Sequence, residues 1–385
     1  MEHMTEIKTE APAIGHAECL VIGGGVIGSS IAYHLAKEGR STILLERFIP
    51  GEGASGAAVG MLAAESEEFT DPELAQFART SRDAFPELVR DLERFSGVSV
   101  EFRTEGFVTP FRSEAEAQRR WHAAIAREDD LPVWWDAREL ARRIPGLDGQ
   151  AIGAIYRSKE TQISPAQLCC AYTGAATVLG ATIWSGTQAE QLVVQHGRVC
   201  GVQTDSGFFS CDQVIIAGGL DSMRLLEQVG FEYPLYPVKG EAVAISLKDH
   251  PLEYTIYADD IYLVPKQNNE LWIGATSLPY QDDKEVTIVS LEGLLARASA
   301  WLPRVREASF IRTWAGLRPQ AVAGRPCIGP VPGVEGVYAA VGHYRNGVLL
   351  SEATGRVIAA LLKGVGMAEL GISGFSPERI KEASK

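Results

Sequence analysis

Residues 19–48, CLVIGGGVIGSSIAYHLAKEGRSTILLERF, decide the fold. The apolar run up to Ile22 reads as a buried parallel strand, "GSSIAYHLAKEG" as a helix ending at Gly39, and "STILLE" as the next strand. Gly23, Gly25 and Gly28 fall in the turn between strand and helix. Gly23 permits the tight turn, Gly25 lets backbone approach a pyrophosphate, and Gly28 allows close helix–strand packing. The helix N-terminus then offers N–H groups and partial positive charge to phosphate. Glu46 ends the second strand, 18 residues beyond Gly28, where a carboxylate accepts bonds from ribose hydroxyls. A free ribose disfavours NADP. NAD and FAD stay open, because both present the same ADP half.

At 385 residues and 46% hydrophobic, the chain can bury a core large enough for two domains. Its net charge of −13 comes without a stripe of Lys or Arg, which argues against nucleic acid as a partner. Apolar runs are broken by Gly, Pro or charge before about 18 residues, so no membrane span and no stable membrane association are expected. The opening "MEHMTEIKTEAPAIGHAE" lacks the basic start and apolar core of a signal peptide, and a cytoplasmic location is expected. The six cysteines show no C-x-x-C pair and no zinc spacing; reduced, buried thiols are expected, and no metal.

Strand-like runs alternate with helical patterns, the mark of α/β architecture. A helix is expected from about Asp71 to Phe95, with Asp71 as N-cap ahead of Pro72. "VSVEFRTEGFVTPFRS" alternates like an antiparallel strand pair, and Ser164–Pro165 reads as a cap and first-turn pair. The expectation is a disordered tail (1–17), a discontinuous dinucleotide-binding domain (18–98, 163–235 and 316–376) and a more antiparallel second domain (99–162 and 236–315).

Straight after the second strand comes "IPGEGASGAAVGML", residues 49–62, almost without bulky side chains before Met61. Such a run lets backbone lie flat along an extended cofactor and offer amides to it. With "PVKGE", "IYLVPKQNNELWIGATS", "TWAGLRPQAVAGRPCIGPVP" and "VGHYRNGVLLSEATG", this run makes the chain resemble the FAD-dependent D-amino acid oxidase superfamily, and within it the bacterial glycine oxidases. The resemblance spans nearly the whole chain beyond the tail. It implies a Rossmann-like, glutathione-reductase-like FAD-binding domain plus a substrate domain built on a large antiparallel sheet with helices. The implied cofactor is non-covalent FAD. Cys327 is the one candidate for a tether, and the sarcosine-oxidase context around it is missing.

The implied activity is oxidative deamination of glycine, sarcosine and small D-amino acids with O2, by hydride transfer to the flavin. Products are an α-keto acid, ammonia and hydrogen peroxide, in the service of thiamine thiazole synthesis, from a homotetramer. A sarcosine-type oxidase or a D-amino acid dehydrogenase of the same superfamily is the alternative. Arg318 is the candidate carboxylate clamp, since a guanidinium forks onto a carboxylate bidentately. Tyr262 would point its hydroxyl into the pocket, Met61 would line it, and Arg345 would lie near flavin and substrate. Asp260 stands where some relatives carry a His, which leaves its role open. No catalytic acid or base is expected. By the same resemblance Gly23, Gly25, Val26, Ile27, Gly28, Glu46 and Arg47 would hold the ADP half. Ala54, Ser55, Val59, Gly60 and Met61 would follow the small-residue run, with Ala189 nearby. His343, Tyr344, Arg345, Asn346, Gly347, Val348 and Leu349 would form a wall, the helix near Gly347 aiming its positive end at the flavin.

Overall fold

A computed structural model of the chain describes residues 13–126, 131–247, 251–258 and 261–383. Two large sheets carry most of the strands. In the first, Gly15–Ile22 lies between Gly207–Ile216 and Thr42–Glu46, parallel to both, with Thr182–Ser185 and Val337–Val341 extending it on either side. A parallel sheet covered on both faces needs apolar residues at successive positions, and this strand supplies them. Cys19 and Val21 pack under the helices Val26–Lys37, Pro165–Val178 and Gly347–Leu362, while Leu20 and Ile22 pack on the opposite face. The hairpin Ala189–Gln195 and Arg198–Thr204 builds onto Gly207–Ile216.

The helix Val26–Lys37 is the hub of this half. It packs against both Gly347–Leu362 and Pro165–Val178. Its contact with the last helix is close enough that Ser30 Oγ donates to Ser351 O at 2.7 Å, and a Cβ on Gly355 would stand 2.4 Å from Ser30 Oγ. The helix Pro72–Ser96 is capped as expected: Asp71 accepts from the N–H groups of Glu73 and Leu74, Pro72 occupies the first turn, and Gly97 ends it at φ 70°.

The second sheet has nine strands, mostly antiparallel. Leu235–Ser246 is its spine, paired with Ser309–Ala321 on one side and Glu270–Gly274 on the other. Ile261–Pro265 follows Glu270–Gly274, and Phe107–Phe111 joins through a parallel pairing with Thr255–Ala258.

Several expectations need correction. Residues 98–113 form one strand, Phe107–Phe111, which pairs with Gly153–Arg157 and not with its own neighbour; Arg103 bridges to Gln162 instead. The tail gives up residues 15–17 to the first strand, because Gly15, His16 and Ala17 find partners in Phe209, Ser210 and Cys211. Ser309–Ala321 runs unbroken through the expected boundary at 315/316, held along its length by Leu235–Ser246. Ser164 stands at the N-cap without a side-chain bond. Cys19, Cys169, Cys211 and Cys327 are buried, but Cys170 is exposed and Cys200 half-buried, since neighbours on a helix face different ways.

Candidate active site

One cavity of about 640 Å³ runs from the C-terminal ends of the parallel strands to the edge of the second sheet. Its first end is the glycine turn. Gly23 adopts φ 104°, and a Cβ there would stand 2.6 Å from Ala217 O. At Gly28 a Cβ would stand 1.8 Å from the Gly23 carbonyl oxygen, so this glycine serves helix–strand packing and does not line the cavity. Gly25 is different: only Ser55 Oγ, at 3.3 Å, would meet its Cβ, and the open space belongs to the cavity. Val26 and Ile27 follow it along the wall, and the Val26 N–H donates to Ser55 Oγ at 2.9 Å.

Glu46 accepts from Gly24 N at 2.6 Å and from Phe48 N at 2.9 Å, which pins the strand end against the turn. Arg47 pairs with Asp221 at 3.0 Å beside it, and Ala189 closes that end with Thr187 and Gln188. Gly218 and Gly219 line the same end, directly after the buried strand Gly207–Ile216. The sequence signal for them was present: ligands gather beyond the carboxyl ends of parallel strands, and this strand ends in "IIAGG".

The small-residue run lines the middle through Ala54, Ser55, Val59, Gly60 and Met61. It is not extended throughout. Ala54–Ala57 makes one helical turn, and Met61–Leu62 pairs with Thr161–Gln162. Small side chains are needed here for close approach to protein as much as to ligand: at φ 85°, a Cβ on Gly60 would stand 1.9 Å from Ile163 O.

The far wall is His343 through Val348, with the helix Gly347–Leu362 starting in it. Leu349 points away into the core, one turn-position removed from Val348. His343 is buried, lies 3.1 Å from Thr354 Oγ1 through Nε2, and burial pulls it down to about 3, so the ring is neutral.

Tyr262 and Arg318 meet at the second end. The ring of Tyr262 lies over Gly274, and Arg318 folds across Gly240, where a Cβ would stand 2.2 Å from its Nη2. Arg318 Nη1 donates to Thr276 O at 3.1 Å, and among the described residues no carboxylate pairs with it. Burial raises the Tyr262 hydroxyl above its ordinary value, opposed by the nearby charges of Arg318 and Arg345. Asp260 lies outside the described residues.

Two groups contain residues that the sequence reading missed: Glu67 and Tyr257 beside Arg345, and Lys239, Glu241, Thr276 and Asp283 behind Arg318. Glu67 Oε2 pairs with Arg345 Nε at 3.0 Å, Tyr257 OH donates to Glu67 Oε1 at 3.1 Å, and Arg345 Nη2 donates to Tyr257 OH at 3.2 Å. All three line the cavity. Behind Arg318, the buried Lys239 of "PVKGE" holds Asp283 at 2.5 Å, and the fully buried Glu241 accepts from Thr287 N and Thr276 Oγ1. These bonds fix the segment that presents Thr276 O to Arg318. Nothing local in "PVKGE" announces them, since the partners lie more than thirty residues away.

Among the described residues there is no helix long and apolar enough to cross a membrane and no cluster able to hold a metal ion. The glycine turn, the acid at the next strand end and the cavity beyond fit an extended dinucleotide: room remains at Gly25, where the pyrophosphate must approach, while backbone closes in at Gly23 and Gly28.

The family model described as FAD dependent oxidoreductase (DAO) matches residues 18–361. A glycine oxidase of Bacillus licheniformis is 34% identical over 95% of this chain and 98% of its own length. The bifunctional protein ThiO/ThiG of Synechocystis sp. is 30% identical over 94% of this chain and 54% of its own. Among solved structures, glycine oxidase from Geobacillus kaustophilus superposes with a TM-score of 0.89 at 33% identity, covering 94% of this chain and 98% of that one. The chain belongs to the DAO family of FAD-dependent oxidoreductases.

Proposed function

We propose that the chain is a glycine oxidase. It oxidises glycine and small D-amino acids to glyoxylate or the matching α-keto acid, ammonia and hydrogen peroxide, and sarcosine to glyoxylate, methylamine and hydrogen peroxide. The observation that carries this reading is Arg318: a half-buried guanidinium in the cavity wall, without a carboxylate partner among the described residues, beside the hydroxyl of Tyr262. Such a group is built to take a carboxylate from the ligand.

FAD, when bound, supplies the two-electron acceptor that O2 later re-oxidises. Gly23, Gly25 and Glu46 would hold its ADP half, and the Gly60–Met61 and His343–Val348 walls the remainder. Non-covalent binding is supported by Cys327, whose thiol is buried in the strand Cys327–Pro330 and does not line the cavity. Arg318 clamps the substrate carboxylate, and Thr276 O holds the guanidinium in place. Tyr262 fills the space beside it, so that a small amino acid has one orientation available. Glu67 is committed to Arg345 and Tyr257, and the reading assigns no residue to proton abstraction. The resemblance adds a tetramer and a role in supplying the thiazole half of thiamine.

Oxygen uptake with glycine, sarcosine and D-alanine tests the reading. Arg318→Ala should lower kcat/KM for glycine by roughly 30-fold or more, the loss of a charge-assisted bidentate contact worth about 2–5 kcal/mol. Undiminished peroxide formation by that variant would sink the assignment.

A further inference from the structure

The substrate end of the cavity contains two guanidinium groups, yet only one is available. Arg345 is tied to Glu67 and Tyr257 in a closed triangle of bonds of 3.0, 3.1 and 3.2 Å, and both Glu67 oxygens are used in it. The backbone leading into Glu67 is held as well. Glu160, wholly buried, accepts from the N–H groups of Glu65 at 2.6 Å and Ser66 at 2.9 Å and from the Ser66 hydroxyl. The backbone just before Glu67 is therefore anchored, and the Glu67 side chain, 9% exposed, has little freedom to swing off Arg345.

Among the described residues, the charges that act on the Tyr262 hydroxyl are Arg318, Arg345 and Glu67. Their sum is one positive charge, which a single carboxylate neutralises. A ligand with two carboxylates would leave one negative charge in excess, in the same cavity as the mostly buried Glu67 carboxylate. Lys284, exposed at the rim, is screened by water and offers little compensation.

We propose that Glu67 is the specificity-determining residue that closes Arg345 to the ligand and restricts the enzyme to monocarboxylic amines, excluding dicarboxylic amines. The inference rests on the assignment of Arg318 as the carboxylate clamp. Removing the Glu67 charge leaves two available guanidinium groups and a net charge of two, which is the complement of a dicarboxylate.

Two pairs of amines differ by one carboxylate: sarcosine with iminodiacetate, and D-alanine with D-aspartate. The wild-type holoenzyme should favour the first of each pair. Glu67→Gln keeps the shape and should raise kcat/KM for iminodiacetate relative to sarcosine on the order of ten- to hundred-fold, the scale of one unit charge at a few ångströms in a part-buried site. Glu67→Asp, which retains the charge, should keep the wild-type preference. A ratio unchanged within about two-fold in Glu67→Gln overturns the proposal, as does a wild-type enzyme that oxidises iminodiacetate as well as sarcosine.

A second measurement needs no variant. Acetate and malonate, titrated into wild-type holoenzyme and read from the visible absorption of the bound flavin, should show acetate binding the tighter; tighter malonate overturns the charge argument. An enzyme that oxidised none of these amines would defeat the glycine oxidase reading, while the acetate–malonate comparison, repeated in Glu67→Gln, would still decide the role of Glu67: an unchanged ratio overturns it.

Discussion

Alanine at Gly25 and at Gly28 separates two reasons for a glycine that the sequence motif lumps together. At Gly28 the new carbon would stand 1.8 Å from the Gly23 carbonyl oxygen, whereas ordinary contact starts near 3.4 Å. The helix Val26–Lys37 must therefore shift by about 1.6 Å relative to backbone that cannot rotate away. Overpacking costs about 1–3 kcal/mol, and a clash against backbone belongs in the upper half of that range. At about 1.2 °C per kcal/mol for a chain of 385 residues, the apoprotein should melt roughly 2–4 °C lower. At Gly25 the backbone is extended, φ −67° and ψ 176°, which any residue adopts, and the nearest atom is Ser55 Oγ at 3.3 Å. The cost to the apoprotein should stay below about 1 kcal/mol. Its methyl group instead takes up room on the cavity side, so FAD affinity should fall at least about ten-fold, as for the loss of about 1.4 kcal/mol. Thermal unfolding of the flavin-free variants and fluorescence titration with FAD read the two effects separately. The reasoning fails if Gly25→Ala melts as low as Gly28→Ala, or binds FAD with wild-type affinity.

Two further outcomes follow from buried titratable groups. His343 stays neutral in the fold because burial lowers it to about 3 from 6.5, so the unfolded chain binds more protons between those values and stability falls as pH drops through that window. His343→Gln should make the dependence shallower by about 1.4 kcal/mol per pH unit, read from urea midpoints at pH 7 and pH 5; an identical slope would refute it. Lys266 is buried against Ile163 O at 3.1 Å and the Trp272 ring at 5.0 Å, and burial lowers it to about 7 from 10.5, with Glu101 opposing and Arg103 assisting. The folded state holds fewer protons between these values, so stability rises with pH across them. Lys266→Met should therefore unfold at higher urea than wild type at pH 7.5, with the gap closing toward pH 10.5. A variant weaker than wild type at pH 7.5 would contradict this.

Legibility in the sequence followed the range of the interactions. The strand, turn, helix and strand of residues 19–46 are set by neighbours a few positions apart, and the chain spells them in order. Arg318 could be singled out because an Arg among Trp314, Leu317 and Pro319 is out of place unless it has work in a pocket; Tyr262 was reached through the resemblance. The small-residue run was read as cofactor-hugging backbone, whereas Gly60 is required by Ile163, a hundred residues on. Glu67 and Tyr257 went unnoticed because a Glu in "ESEEF" and a Tyr in "YTIYA" look like any others until folding sets them beside Arg345. Residues 98–113 show the same limit: alternation predicts a strand, but not which strand it will pair with.

The contact between Ser30 and Ser351 also bears on the order in which the molecule can be made. The turn and acid that would hold the ADP half leave the ribosome early, with Glu46, but the opposite wall waits for Gly347, some three hundred residues later. At about 5–20 residues per second, that interval is roughly 15–60 s. Throughout it the helix Val26–Lys37 has no Gly347–Leu362 to cover its apolar side. Flavin capture is therefore a late event in synthesis, since the far wall of its cavity is complete only once the last helix has arrived.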